Sequence, residues 1–471
     1  MKVLVLTDRF PPYSEGGAEI SLAILLSKLV DDGFTFSIIT FSEDISDTEI
    51  SYHQNIPVYR VPYSSSWPVV FWEKRKTLNV RPTIIGKVLH RLFAYSAYFM
   101  KAIKNKDFVL KIRKGRLFQR LARRRLLRYF PLIDEDISDV ASTKQCIKRI
   151  FSEFKPDLVH ADNFRSIVLS QGLFEGTPVV NQVRDNRFFC VNKAQPMNIR
   201  GIICRSCEFG CVDDAPKEYL DDIKYFMMRD LRFRQKALAN ANHVIVTSRF
   251  LKAQVQEFVA RHRVSIVTNP VDDRDDDVKR DRRSTFPPEI LIVGMINDNK
   301  GQLRVLEWID ALDNALIDYR IVIAGRGDRI ESILKRRLKT RDVSDRVFLT
   351  GYLSRGELHR TYDRATIVAC PNVWPEPFGR VPLEAGLARK AVVAFDAGGI
   401  SENIIDGVTG VLVPENNNVA FVRTLIDLIK NPVKAKKFGD NAYNFVRENY
   451  KVECSANDLI KVWRDAGAPL I

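Results

Sequence analysis

The chain has 471 residues, of which 45% are hydrophobic, and its formal net charge is +15. That length is too great for one ordinary domain core, which predicts two domains, and no stretch approaches the roughly 20 apolar residues that a membrane-spanning helix needs. The first segment, MKVLVLTDRF, meets a charge too early for a signal peptide, so the seven cysteines favour reduced thiols or metal ligands over disulfides. We expect a cytoplasmic protein with two globular domains.

The N-terminal half alternates strands with helices, which predicts one α/β domain over residues 1–270. A strand at 3–6, a loop with the pair Gly16-Gly17 and a helix at 20–30 resemble the first unit of a nucleotide-binding α/β domain. Further strands are predicted at 35–40, 58–61, 158–160, Val179–Val183 and 244–247, with a long helix at Lys217–Ala239.

A basic segment at about 73–130 carries the excess charge, and the remainder of the chain is almost neutral. The segment contains eighteen Lys or Arg against two acids, and Leu, Ile, Phe and Tyr are interleaved with the cations. This pattern favours amphipathic helices on an anionic membrane, against the alternatives of a nucleic-acid surface and a solvated helical pair. No recognised nucleic-acid-binding module accompanies the charge. We therefore predict peripheral contact with the inner face of a membrane and no binding of nucleic acid.

A charged, proline-ended connector at 271–288 separates this half from a second α/β alternation over 289–448. Strands are predicted at 290–293, Arg320–Ala324, 347–349, 365–371 and Ala391–Phe395, and helices at 302–312, 330–339, Arg355–Arg364 and 380–389. Residues 449–471 are predicted to form a helix that packs back on the N-terminal domain. Two successive parallel α/β units predict two doubly wound, Rossmann-like domains that face a cleft.

Two glutamates, Glu376 and Glu384, stand in the string EPFGRVPLE between a predicted strand and a predicted helix. Glu376 falls in the connecting loop, and Glu384 falls in the first turns of the helix, which is predicted to open at Gly379. In a doubly wound sheet such a loop lies at the carboxyl end of the strand, where ligands bind and helix amides can meet a phosphate. Two carboxylates beside an anion site suit the hydroxyls of a sugar.

Several ordered motifs resemble those of the retaining GT-B glycosyltransferases of family 4, over nearly the whole chain except the basic segment. They include PPYSEGGAE, KPDLVHADN, ANHVIVTSRFL, IVGMINDNKGQ, IVIAGRGD, VFLTGYLSRGEL and CPNVWPEPFGRVPLEAGLARKAVVAF. The resemblance implies the GT-B fold and the transfer, with retention, of a sugar from a UDP- or GDP-sugar to a saccharide or lipid-linked acceptor in envelope polysaccharide or glycan synthesis. The alternatives are a weak or silent nucleotide-sugar-binding scaffold and an epimerase of the same fold.

The same resemblance implies roles for individual residues on the nucleotide-sugar side. Glu384 would accept the ribose hydroxyls, Glu376 would hold hydroxyls of the transferred sugar, and Lys300 would contact the phosphates. Cations and amides would replace a divalent metal, so no cofactor is expected for catalysis. The remaining implied contacts are the backbones of Gly16, Gly17, Phe378 and Gly379 and the side chains of Arg326 and Arg380.

One departure from the family pattern concerns the phosphate-binding cations. Met295 stands where the family usually has an arginine, while Lys300 keeps its expected place. Arg326 or Arg380 could supply the missing charge, although Arg326 could equally be a surface residue at a helix start. The departure raises altered nucleotide-sugar preference or weak activity as alternatives.

A second departure lies in the N-terminal half, where Arg184-Asp185 replaces the usual His-Asp pair. An arginine cannot act as a base, so Arg184 would bind sugar hydroxyls or phosphate and Asp185 would contact the acceptor. With Lys300 and Glu376 they complete the predicted catalytic set. His160 and Asp162 are further acceptor-side candidates, and a purely structural, hydrogen-bonded His160 is the alternative.

Four cysteines, Cys190, Cys204, Cys207 and Cys211, have the spacing C-x13-C-x2-C-x3-C. Four thiolates at such spacings can form a closed tetrahedral site, for which zinc is the usual metal and an iron–sulfur cluster the second choice. The alternative is four free thiols packed in a loop. A structural zinc site is therefore a hypothesis, separate from catalysis.

Overall fold

The computed structural model describes residues 1–13, 16–63, 141–191, 217–271, 286–327 and 329–469. The chain divides into two compact units. Unit 1 comprises Met1–Ser14, Gly33–Val244 and Trp463–Ile471, and unit 2 comprises Glu15–Asp32 and Ile245–Val462. The basic segment lies outside the described residues, and the predicted cleft stays a prediction. In the described ranges, no helix combines the length and the apolar character that crossing a membrane requires.

Within those ranges the strands form one sheet of eight and one of six. The strands are β1 (Lys2–Thr7), β2 (Thr35–Ser42), β3 (Glu49–His53), β4 (Ile56–Pro62), β5 (Leu158–Asp162), β6 (Val179–Val183), β7 (His243–Val246), β8 (Val264–Ile266), β9 (Glu289–Val293), β10 (Arg320–Ala324), β11 (Val347–Gly351), β12 (Ile367–Cys370), β13 (Ala391–Phe395) and β14 (Gly410–Val413).

The described α-helices flank these strands in alternation. They are α1 (Gly17–Asp31), α2 (Ala141–Phe154), α3 (Phe164–Leu169), α4 (Lys217–Ala239), α5 (Arg249–Val255), α6 (Val305–Asn314), α7 (Arg329–Arg341), α8 (Arg355–Arg364), α9 (Val381–Leu387), α10 (Asn418–Lys430), α11 (Pro432–Asn449) and α12 (Val452–Asp465). Parallel strands joined through helices usually have right-handed crossovers, and helices packed on both faces bury such a sheet.

The eight-stranded sheet has the order β3-β4-β2-β1-β5-β6-β7-β8, so the chain changes direction of winding between β1 and β5. Strand β1 pairs in parallel with both β2 and β5. The residues of β1 from Val3 to Leu6 are fully buried, as expected for a central strand covered on both faces. Ligands of doubly wound sheets bind at such a switch point, beyond the carboxyl ends of the strands.

The six-stranded sheet lies in unit 2 and has the order β11-β10-β9-β12-β13-β14. Its switch point falls between β9 and β12, which pair in parallel at Ile367 with Ile290 and at Val368 with Leu291. The loop after β9 carries Lys300 and the loop after β12 carries Glu376. The topology therefore brings the two predicted ligand-binding loops to the same edge of one sheet.

The structure confirms the predicted strand-loop-helix around Glu376 and the predicted helix α4, and it adds a hairpin that the sequence analysis missed. Strand β3 pairs antiparallel with β4 through a turn at Gln54 and Asn55, both of which have positive φ. Two-residue hairpin turns with positive φ usually carry glycine, so the pair Gln-Asn is a weak sequence indication.

Candidate functional site

The carboxylate of Glu376 accepts hydrogen bonds from three side chains. Lys300 Nζ donates to both of its oxygens at 2.9 Å. Asn372 Nδ2 and Trp374 Nε1 donate to Oε2 at 2.6 and 2.8 Å. A lysine ammonium has three N–H donors, so Lys300 keeps one for a ligand, and 23% of its side chain remains exposed. The cluster pairs an oriented carboxylate with a cation that retains a hydrogen-bond donor.

Glycines allow the loops that carry this cluster to approach each other. A Cβ at Gly301, where φ is +71°, would lie 2.0 Å from the carbonyl oxygen of Pro371, so any side chain there would collide with the loop after β12. A Cβ at Gly398, where φ is +73°, would lie 2.7 Å from the carbonyl oxygen of Glu376. Glycine at both positions therefore fixes the approach of Lys300 to Glu376.

Glu384 is held from two sides. The Tyr362 hydroxyl donates to Oε2 at 2.9 Å, and Arg380 Nε donates to Oε1 at 3.2 Å. Burial, followed by the charge of Glu384, raises the pKa of Tyr362 well above its usual value, so the hydroxyl stays protonated and donates. Arg380 is itself anchored, because its Nη1 donates to Ser21 Oγ of α1 and to the Pro270 carbonyl.

A cavity of about 170 Å³ within unit 2 has Glu384, Arg380 and Tyr362 in its wall. The loop from β11 to α8 supplies further lining residues, among them Tyr352 and Leu353. The exposed side chain of Arg326 places its guanidinium 5.2 Å from the centre of the Tyr352 ring. The wall thus combines apolar and aromatic surface with a fixed carboxylate, as ligand pockets usually do.

Cys370, the last residue of β12, lies within electrostatic reach of both clusters. Burial raises the pKa of its thiol to about 12, and the charges of Lys300, Glu376 and Glu384 also act on it. The structure therefore places these three predicted residues around the end of one strand. They form the candidate site, to which Asn372, Trp374 and Tyr362 contribute the partners that the sequence analysis missed.

The backbone positions predicted to contact phosphate lie against the side chains of Arg380 and Asn403. A Cβ at Gly17 would lie 2.8 Å from Arg380 Cδ, so this glycine makes room for the arginine at the start of α1, and Gly16 precedes it as the N-terminal cap. Phe378 is buried, and the carbonyls of Phe378 and Gly379 both accept hydrogen bonds from Asn403 Nδ2.

Two further features concern the phosphate side of the site. Helix α9 begins at Val381, two residues later than predicted, because Gly379 adopts a left-handed conformation with φ of +80°. The side chain of Met295 is 64% exposed and supplies no charge. Lys300 and Arg380 are therefore the cations that make direct contact with the two glutamates.

In unit 1, a buried ion pair stands at the carboxyl ends of β5 and β6. Arg184 Nε donates to Asp162 Oδ1 at 2.6 Å, and both side chains are 3% exposed. His160 is fully buried, its Nε2 lies 2.9 Å from Gln182 Oε1, and its ring stands edge-on to Trp463. Burial and then the charge of Arg184 lower the pKa of His160 to about 3. A neutral, enclosed ring favours the structural role for His160.

Asp185 caps a short 3-10 turn beside this pair. Its Oδ1 accepts from the Arg187 amide and its Oδ2 from Arg187 Nε, both at 2.8 Å. Arg187 also contacts Asp8, which follows β1 and accepts from the amide of Ser166. Neither Asp8 nor Arg187 was predicted from the sequence, although the place of Asp8 directly after the first strand was an available indication.

Of the four cysteines in the predicted zinc site, Cys190 is the one among the described residues. Cys190 is buried, and its carbonyl accepts a hydrogen bond from Arg234 at 3.1 Å. Cys204, Cys207 and Cys211 lie outside the described residues, so the zinc site stays a prediction. Among the residues that the structure describes, no three His, Cys, Asp or Glu side chains form a metal-binding group.

Two family models match consecutive parts of the chain. The model described as Glycosyl transferases group 1 matches residues 273–445, and the one described as Glycosyltransferase Family 4 matches residues 107–275. The chain belongs to glycosyltransferase family 4. Its fold is that of the GT-B members of the family, which confirms the fold prediction.

Two curated relatives and one solved structure illustrate the similarity to family 4. The chain is 28% identical over 180 residues to an alpha-D-kanosaminyltransferase of Streptomyces kanamyceticus, and 35% identical over 174 residues to the lipopolysaccharide core biosynthesis mannosyltransferase LpcC of Rhizobium leguminosarum bv. viciae. These alignments include 38% and 35% of this chain, and 46% and 49% of the relatives. The chain therefore spans about half the length of the curated relatives it matches.

The solved structure is that of HepE from Anabaena in complex with UDP-glucose. It superposes with a TM-score of 0.62 over 98% of this chain and 99% of that one, at 15% sequence identity. At that identity the likeness concerns the fold alone.

Proposed function

We propose that the chain is a retaining glycosyltransferase that moves a sugar from a UDP- or GDP-sugar to a saccharide or lipid-linked saccharide in envelope polysaccharide or glycan synthesis. The observation that carries this proposal is the joint position of Lys300, Glu376 and Glu384 around the end of β12. The LpcC mannosyltransferase and the UDP-glucose complex of HepE support the choice of chemistry. Retention and the cytoplasmic location are proposed from family membership.

The arrangement suits the departure of a nucleoside diphosphate. Negative charge grows on the diphosphate as the sugar leaves, and a preorganised N–H donor such as that of Lys300 stabilises this charge without reorganisation. Glu376 orients sugar hydroxyls, and Glu384 holds the ribose beside the cavity. Asp185 is proposed to contact the acceptor, and Arg184 is proposed to bind sugar hydroxyls or phosphate. No metal is needed in this scheme, because Lys300 and backbone amides balance the phosphate charge.

The test is turnover of nucleotide-sugars by the full chain. Purified protein is incubated with UDP-glucose, UDP-N-acetylglucosamine and GDP-mannose in EDTA, and released UDP or GDP is measured with and without saccharide acceptors. We expect release from at least one of them, and a product whose anomeric configuration, read by NMR, equals that of the substrate. Binding without any release or transfer would instead support the silent scaffold.

We also propose that residues 73–130 hold the protein on an anionic membrane. The excess of Lys and Arg, interleaved with apolar residues, provides both electrostatic attraction and surface for insertion. In liposome flotation, the protein is expected to float to the top fraction with phosphatidylglycerol vesicles and to remain in the bottom fraction with phosphatidylcholine vesicles. Equal binding to both, or binding to neither, would contradict the proposal. Release by high salt would confirm the electrostatic part, since salt screens exposed charges.

A further inference from the structure

We propose that Tyr362 is a positioning residue, which orients Glu384 so that both carboxylate oxygens meet the two adjacent hydroxyls of a ribose. The inference rests on the proposed function, because it assigns a role to Tyr362 in binding the nucleotide part of the substrate. It predicts that the Tyr362 hydroxyl acts only on ligands that carry the diol.

Each carboxylate oxygen of Glu384 accepts one side-chain hydrogen bond. Oε2 accepts from the Tyr362 hydroxyl and Oε1 accepts from Arg380 Nε. Each carboxylate oxygen can accept about two hydrogen bonds, so each keeps one acceptor position after these contacts. The side chain of Glu384 is 29% exposed and stands in the wall of the cavity, which leaves those positions accessible. Two acceptors on one rigid group match two neighbouring hydroxyls.

The Tyr362 hydroxyl has no packing function of its own. The ring lies in an apolar cluster with Leu291, Val368 and Ala385 and is 2% exposed, so a phenylalanine ring would fill the same space. The hydrogen bond to Glu384 is what the hydroxyl adds. Since burial keeps this hydroxyl protonated, it remains a donor across the physiological pH range.

Fixing Glu384 in advance favours binding. A free glutamate side chain loses rotamer entropy when a ligand orders it, and this loss weakens binding. Tyr362 on α8 and Arg380 before α9 order the carboxylate before the ligand arrives, so that cost is met during folding. Arg380 is anchored in turn by Ser21 and the Pro270 carbonyl. Loss of the Tyr362 contact frees one oxygen and restores part of the cost.

The experiment compares nucleotides with and without the diol. Wild type and Tyr362→Phe are titrated by calorimetry with UDP, GDP and their 2′,3′-dideoxy forms. We expect the variant to bind the ribonucleotide about tenfold more weakly, while the dideoxy form binds within about twofold of wild type. Both affinities are measured on one protein sample, so a smaller folded fraction does not change their ratio. Tyr319→Phe is the matched control, because it removes a hydroxyl that donates to Asp313 outside the cavity.

A double variant separates positioning from a general structural effect. If Tyr362 acts through Glu384, adding Tyr362→Phe to Glu384→Gln should weaken ribonucleotide binding by less than about twofold. An equal loss for the ribo and dideoxy forms, no loss for either, or full additivity in the double variant would overturn the positioning role and leave the proposed function standing. If the wild type binds neither UDP nor GDP, the proposed function is wrong, and the inference falls with it.

Discussion

Replacing Lys300 with alanine is expected to lower kcat by about 100- to 1000-fold, with a change in KM for the nucleotide-sugar below about threefold. The reason is that one N–H of the ammonium remains for the departing diphosphate, and the loss of one such preorganised donor costs roughly 2.7 to 4 kcal/mol in the transition state. Steady-state release of UDP or GDP, measured across substrate concentrations, gives both constants. Asn372 and Trp374 still donate to Oε2 of Glu376 in this variant, so the carboxylate keeps two of its hydrogen bonds.

A lysine from another ion pair provides the control for this substitution. Lys434 pairs with Asp427 at 2.7 Å on the surface, and Lys434→Ala should leave kcat unchanged. If Lys300→Ala keeps its turnover and loses only thermal stability, the lysine serves merely to neutralise Glu376 and the assigned role is wrong.

Replacing Glu376 with glutamine is expected to lower turnover at least about 100-fold, while UDP or GDP alone binds within about threefold of wild type. Both oxygens of Glu376 accept hydrogen bonds. In either orientation of the glutamine amide, its NH2 group would therefore point at another hydrogen-bond donor. Lys300 would also lose its partner within a partly buried cluster, which is costly. Calorimetry with the free nucleotide and turnover of the nucleotide-sugar together separate sugar contacts from nucleotide contacts.

The corresponding control is Asp427→Asn, which removes a carboxylate from the Lys434 pair and should have no effect on turnover. An equal loss of affinity for the free nucleotide and the nucleotide-sugar would show that Glu376 acts on the nucleotide, against the role assigned to it.

The strand, loop and helix around EPFGRVPLE could be predicted from sequence because their patterns are local. A fully apolar run predicts the buried strand β12, and Pro382 near the start of α9 is typical of a first helical turn. The positions of Lys300 and Glu376 after strands, where ligands bind, follow from the alternation of elements, whereas the pairing of β9 with β12 was learned from the structure.

The partners of those residues could not be predicted, because they come together only through tertiary packing. Tyr362 reaches Glu384 from α8, and nothing in its own segment distinguishes it from an ordinary buried tyrosine. Arg380 was expected to supply phosphate charge, and the structure also places it against Ser21 and Glu384. The sequence predicted the two candidate carboxylates, whereas the groups that hydrogen-bond to them are visible only in the structure.

The most direct test of the central claim, that Lys300, Glu376 and Glu384 form the site of glycosyl transfer, is a single-turnover experiment on the wild type and Lys300→Ala. Each protein is used in excess over the same nucleotide-sugar, at a protein concentration high enough to bind all of it, and the nucleoside diphosphate released is followed over time. The account predicts that both proteins bind the nucleotide-sugar and that Lys300→Ala releases the diphosphate about 100- to 1000-fold more slowly than the wild type. Release at the same rate by both proteins, or bound substrate that neither protein converts, would contradict it.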